Sequence, residues 1–136
     1  MNLSESVSQI LSHEAELASR FYERFFAQIP EAMTFFESTN MIHQAAVLRM
    51  SLQIIEQFCS HELGAIGDYL RVIGFKHRER NIPQDMYGRW REILLDELEE
   101  FHGADWSETL KVEWTKALNL SINKMLEGYE LSSATI

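Results

Sequence analysis

His77 closes a helical stripe made by Leu63, Ile66, Leu70 and Ile73, stepping three and four residues at a time. That is the spacing of one buried helix face. A charged run and a proline follow at once, in "KHRERNIP". A second stripe, Gln44, Leu48, Leu52, Ile55 and Cys59, opens on an amide in the same way. A buried imidazole or amide left unpaired costs about 1–3 kcal/mol, so each needs a partner. Neutral imidazole is a common nitrogen ligand for metals. A glutamine N–H or a tyrosine O–H, such as that of Tyr22, can donate to a bound molecule.

A closed zinc site needs about four protein ligands. The remaining histidines, His13, His43, His61 and His102, show no i, i+4 pairing with one another, and there is no Cys-x-x-Cys, His-Glu-x-x-His or EF-hand loop. One imidazole suffices where the cofactor brings its other ligands, as haem does with its pyrrole nitrogens. A flat ring of that kind needs a wide apolar slot, of the class spanning about 300–1,000 Å³. Phe25, Phe26, Phe35 and Phe36, with the leucine and methionine stripes, can line one, and Tyr22 and Gln44 can supply a donor opposite His77. Plainer readings stand beside these. His77 can be a satisfied core histidine, Tyr22 a core tyrosine, the phenylalanines ordinary core and Gln44 a solvent-facing residue at a helix start.

The elements that must position these residues are helices. The 3.6-residue periodicity predicts five or six of them and no sheet. A short helix spans about 4–12, capped by Ser4 or Ser6. The next spans about 13–28, with Leu17, Phe21, Phe25 and Ile29 inward. Pro30 starts a short helix, and "ESTN" turns into a helix over about 41–59, capped by Asn40 or Thr39. The His77 helix spans about 63–79. Pro83 starts a long helix to about 101, with Tyr87, Trp90, Leu94, Leu98 and Phe101 on one side. Asp105 and Glu108 form a capping-box-like pair before a last helix over about 106–130, which turns Leu110, Trp114, Ala117, Leu118, Ser121, Met125 and Tyr129 inward. Residues 1–3 and 131–136 are expected to fray.

The 136 residues fit one domain, 1–136, and 46% hydrophobic with 24% charged residues is an ordinary globular balance. A net charge of −9 disfavours nucleic acid and anionic membranes as partners. No run approaches the ~18 apolar residues of a membrane span, and "MNLSESVSQI" has no signal-peptide pattern. The lone Cys59 excludes an internal disulfide and reads as a small core residue of a protein in a reducing, cytoplasmic setting.

"FYERFFAQIPEAMTFFES" resembles the second and third helices of bacterial globins, and "IGFKHRERNIPQDMY" the globin stretch around the proximal histidine, with Tyr87 ten residues beyond His77. "GADWSETLKVEWTKAL" resembles the last two globin helices, Trp114 matching a tryptophan of the single-domain bacterial haemoglobins. The intervals from Tyr22 to Gln44 to His77, and the run from His77 to Pro83, are most similar to globin-coupled sensors. The resemblance covers about residues 10–130.

It implies an all-α globin fold, a three-on-three helical sandwich with a shortened first helix. It implies protohaem, with iron held by His77, wedged by Phe36 and lined by Phe25. Tyr22 would donate to a bound diatomic, O2 above all, with CO and NO as further ligands. Gln44 would be the distal helix residue, with Ala45 or His43 in its place under a one-residue shift, and an inward His43 could bind iron from the second side. Leu48 would guard the pocket. The implied function is gas sensing, with a homodimer through the last two helices or a signalling partner or output domain. O2 carriage, nitric oxide dioxygenation with an external reductase, and a haem-free docking module are the alternatives. Two departures stand out. The first helix is shorter than usual, and Tyr129, between Glu127 and Glu130, occupies the place where flavohaemoglobins carry a glutamate joined to the proximal histidine and tyrosine.

Overall fold

A computed structural model describes residues 1–13, 16–61 and 64–131. Its α-helices are α1 (Leu3–Ser12), α2 (Glu16–Gln28), α3 (Met41–His61), α4 (Gly64–Glu79), α5 (Met86–His102) and α6 (Glu108–Glu127). Short 3-10 helices cover Pro30–Phe36, Gly103–Asp105 and Gly128–Glu130. Among the described residues there is no strand. Leu63, first of the predicted stripe, and residues 132–136 of the tail lie outside the described residues.

The helices stack in two layers, α1, α3 and α4 on α2, α5 and α6, with α6 packed across both α3 and α4. The core between them is apolar. Phe21, Leu52, Leu94, Leu98, Leu110, Leu118 and Trp114 are sealed from solvent. The predicted inward faces of α2 and α6 are the buried ones, apart from Tyr129, which is buried on the 3-10 turn beyond α6.

Several boundaries differ from the sequence expectation. Asn2, not Ser4 or Ser6, caps α1, accepting from the Glu5 N–H at 2.8 Å while the Glu5 carboxylate returns to the Asn2 N–H. The Leu3 N–H donates to Glu113 at 2.7 Å and the Leu3 side chain is buried, so the chain is tied down from residue 2 rather than frayed to residue 3. Pro83 does not begin α5. Asn81 turns the chain through a positive φ of 63°, and the helix starts only at Met86. Asn40 caps α3, as one of the two expected residues, accepting from the Ile42 and His43 N–H groups. Ser107, not Asp105, caps α6, because Asp105 closes a 3-10 turn and the Ser107 hydroxyl accepts from Leu110 N–H at 3.1 Å.

Where α4 meets α6 the two backbones touch. A Cβ on Gly74 would overlap the Met125 carbonyl, and one on Gly128 the Arg71 carbonyl. Glycine at both positions is therefore required by the approach. Ion pairs from Arg71 to Glu127 (2.9 Å) and a bond from Arg78 to the Tyr129 carbonyl (2.8 Å) flank the contact. The three tryptophans do not form an outer patch. Trp114 is fully buried, Trp90 lines a mainly apolar cavity, and Trp106 stacks on His102 with ring planes 9° apart.

Candidate functional site

Between α3, α4 and α5 the core opens into a mainly apolar cavity of about 420 Å³. Its presence explains the polar end of the α4 stripe. Leu70 and Ile73 line the cavity, and so does His77, so this face meets a void rather than solid hydrocarbon. The other candidates gather here too. Tyr22 and Phe25 arrive from α2, Phe36 from the 3-10 helix, Gln44 and Leu48 from α3, and Tyr87 from α5. His43, the alternative to Gln44, is exposed, and Ala45 is buried but does not line the cavity. α3 therefore turns the amide inward. Cys59 lies half-buried against the core, as expected of it.

Two hydrogen-bonded pairs face this space. In the first, the Gln44 amide donates to the Tyr22 hydroxyl oxygen at 2.9 Å. Tyr22 is buried, and burial pushes its pKa up to about 12, with the Gln44 bond pulling slightly the other way. The group is thus a neutral phenol with a proton of its own to give. Phe36 and Phe26 pack against its ring, at centroid distances of 5.6 and 5.9 Å.

In the second pair, His77 Nδ1 stands 2.7 Å from the Tyr87 hydroxyl. Burial holds the imidazole pKa down to about 4, and the nearby Arg80 charge adds to this, so the ring is neutral at neutral pH. Its Nε2 has no hydrogen-bond partner among the described residues. Burial and hydrogen bonding to Tyr129 keep Tyr87 protonated far above the ordinary phenol value. Tyr129 donates onward to the Ile82 carbonyl at 2.7 Å.

A neutral imidazole with one nitrogen anchored and the other uncommitted is the form in which histidine ligates a metal. Among the described residues no group of three or more His, Cys, Asp or Glu could hold an ion by itself. The donor set fits a metal that arrives with its ligands in a flat apolar ring, and the cavity volume falls in the range of such ligands.

The sequence reading passed over several lining residues. Ile82, Met86, Trp90, Lys76 and Tyr69 reach the cavity as well. Ile82 and Met86 lie in or beside the irregular stretch after α4, where no periodicity reports direction. Tyr129 was read as an inward residue without a partner. Its hydroxyl donates to a backbone carbonyl while its ring meets that of Tyr87 edge-on at 5.9 Å, and a carbonyl leaves no trace in sequence.

A family model described as Globin matches residues 19–126. The chain is 25% identical over 116 residues to a protein named Flavohemoprotein from Bacillus subtilis (strain 168). That match covers 85% of this chain and spans only 29% of the relative's length.

Proposed function

The chain belongs to the globin family, and on that premise we propose that it binds haem through His77 and reversibly takes up a diatomic gas in the pocket beside Tyr22. The observation that carries this reading is the uncommitted Nε2 of a neutral His77 at a mainly apolar cavity that also receives a proton-bearing Tyr22 hydroxyl. Haem held by His77 would supply an iron centre able to take up O2, CO or NO.

The chain's own residues do the rest. Tyr87 holds the His77 ring in orientation through Nδ1. Phe25 and Phe36 line the cavity and would give the haem an apolar wall, and Leu48, Ile55 and Leu70 would keep water from it. Water exclusion strengthens every hydrogen bond made inside the pocket. Gln44 holds the Tyr22 oxygen, so the Tyr22 O–H is left to donate to the most polar part of the incoming ligand. Such a bond is worth about 1.5–3 kcal/mol when the acceptor carries charge. O2 polarises on binding and CO hardly does, so the donor favours O2.

Among the uses of gas binding we favour sensing. α4, which carries His77, sits backbone to backbone on the end of α6, so movement at the histidine is felt at the Gly128–Glu130 turn. Oxygen carriage and nitric oxide dioxygenation with an external reductase use the same pocket but do not call for that linkage.

The test is the absorption spectrum of the reduced, haem-loaded protein, alone and under O2 and CO. A five-coordinate ferrous spectrum that shifts under each gas is expected. Absence of a Soret band after haem addition defeats the reading, as does an unchanged spectrum in His77→Ala. Protection of the Gly128–Glu130 amides from hydrogen exchange should differ between gas-free and gas-bound protein. Equal protection in both states removes the sensing use.

A further inference from the structure

Trp90 stands at the centre of the inward face of α5, with buried Tyr87 three residues before it and buried Leu94 four residues after. A side chain so placed is expected to be sealed. Trp90 is only half-buried, because the cavity lies against it. It packs against the apolar group that holds Tyr22 and Phe25, and also against the one that holds Tyr87 and Met125. Its ring meets Phe21 edge-on at 6.0 Å, and Phe21 in turn meets Tyr22 at 5.1 Å. Trp90 thus belongs to the wall that joins the Tyr22 side of the cavity to the His77 side.

An indole carries one donor and no acceptor. In Trp114 that donor is engaged by Ser6 Oγ at 2.9 Å. The Trp90 Nε1–H has no hydrogen-bond partner among the described residues, and it is not one of the sealed unpartnered atoms there, which are Arg49 Nε, Glu97 Oε1 and Ser121 Oγ. It is therefore open to accessible space, and on this face of α5 that space is the cavity. Other polar groups of the wall are engaged or exposed. Gln44 donates to Tyr22, Ser51 donates to the Val47 carbonyl at 2.8 Å, His77 bonds Tyr87, and Tyr69 and Lys76 are exposed. We propose that the Trp90 Nε1–H is a second donor to the gas held in this pocket and, with Tyr22, sets the preference for O2 over CO.

The proposal rests on the haem reading above. A donor at an apolar wall is costly to leave without an acceptor. A ligand that polarises and accepts removes that cost, and one that hardly polarises does not. Tyr22 brings one proton only, so a polarised ligand keeps acceptor capacity for a second donor. Unlike a phenol or an imidazole, the indole does not ionise at working pH, so its share of the preference is independent of pH.

The haem-loaded full-length chain is compared with Trp90→Phe, which keeps an aromatic ring and deletes the donor. O2 release should speed up by about three- to tenfold, with CO release changed much less. Trp90→Phe combined with Tyr22→Phe should release O2 faster than Tyr22→Phe alone, because the two donors reach the ligand separately. Equal effects on the two gases, or none, would leave Trp90 as wall only and overturn the proposal.

The wild-type chain gives a second reading that needs no variant at position 90. With 15N-labelled indoles, the three Nε1–H signals are assigned through Trp106→Phe and the slow hydrogen exchange of sealed Trp114. In the haem-free chain the Trp90 signal should exchange much faster than that of Trp114. In the haem-loaded chain it should be better protected under O2 than under CO. Protection of Trp90 equal to Trp114 without haem, or equal under the two gases, also overturns the proposal. Failure of the wild type to take up haem, with fast exchange at Trp90, instead strikes the haem reading and removes the gas acceptor with it.

Discussion

Gln44 donates to the oxygen of Tyr22 at 2.9 Å, and so the Tyr22 proton is left over for a third partner. An amide that accepted from Tyr22 would have consumed that proton. The direction of this one bond decides whether Tyr22 offers the pocket a donor or a blocked hydroxyl.

Tyr22→Phe keeps the ring contacts with Phe26 and Phe36 and deletes only the donor. O2 release from the haem-loaded protein should speed up by about tenfold or more, with CO release changed much less. Stopped-flow displacement of each gas reads this. Small and equal effects on the two gases would take Tyr22 out of the donor role.

Gln44→Leu leaves the Tyr22 hydroxyl in place but lets it rotate. The effect on O2 release should be smaller, about two- to tenfold. Tyr22→Phe combined with Gln44→Leu should add little to Tyr22→Phe alone, because the amide acts through the phenol. Additive effects would mean that Gln44 contacts the ligand itself.

Far from the cavity, His102 is buried in a chain running from Trp114 Nε1–H to Ser6 Oγ (2.9 Å), then to His102 Nε2 (2.6 Å), with Gln9 on Nδ1 (3.2 Å). Burial lowers its pKa, with Asp105 opposing. As pH falls below about 6.5, the ordinary imidazole value, the unfolded chain takes up a proton that the folded chain refuses. Stability contributed by neutral His102 is therefore present above that pH and is lost on acidification toward the lowered folded value. The contribution to the slope is at most ~1.4 kcal/mol per pH unit. Urea unfolding between pH 5 and 7.5 should show a shallower dependence in His102→Gln. An identical slope would exclude His102 as its source.

Gly74→Ala drives a methyl into the Met125 carbonyl. A loss of at least ~2 kcal/mol in unfolding free energy is expected. Because His77 lies one helical turn beyond, the spectrum of the haem-loaded protein should change as well. Gly64→Ala, on the same helix with open space at its Cβ, is the control and should be close to neutral or stabilising.

Much of the fold was legible because periodicity reports burial directly. The stripes Leu17–Phe21–Phe25 and Leu110–Trp114–Leu118 read inward and are inward. Gathering Tyr22, Gln44 and His77 into one site was legible through spacing and resemblance, since no single one of them is distinctive. What escaped the reading involves backbone or charge pairing across helices. Asn2 caps α1 from a position judged loose, and Pro83 looks like a helix start yet stands outside α5 because Asn81 has already turned the chain. Glu97 is almost fully buried at the edge of the stripe that carries Trp90, Leu94 and Phe101, where the pattern calls for an apolar residue. It is held there by Arg24 of α2 at 2.8 Å, a partner distant in sequence.

The glycine contact between α4 and α6 has a mechanical side. Side chains between helices work as springs, since a rotamer change can absorb a displacement. At Gly74 and Gly128 there is no side chain to deform, and carbonyl meets backbone directly. Densely packed matter of this kind passes strain on instead of damping it. α4 and the end of α6 thus form one stiff plate, and the compliance of the region is pushed into the short left-handed bend at Asn81, which joins that plate to α5.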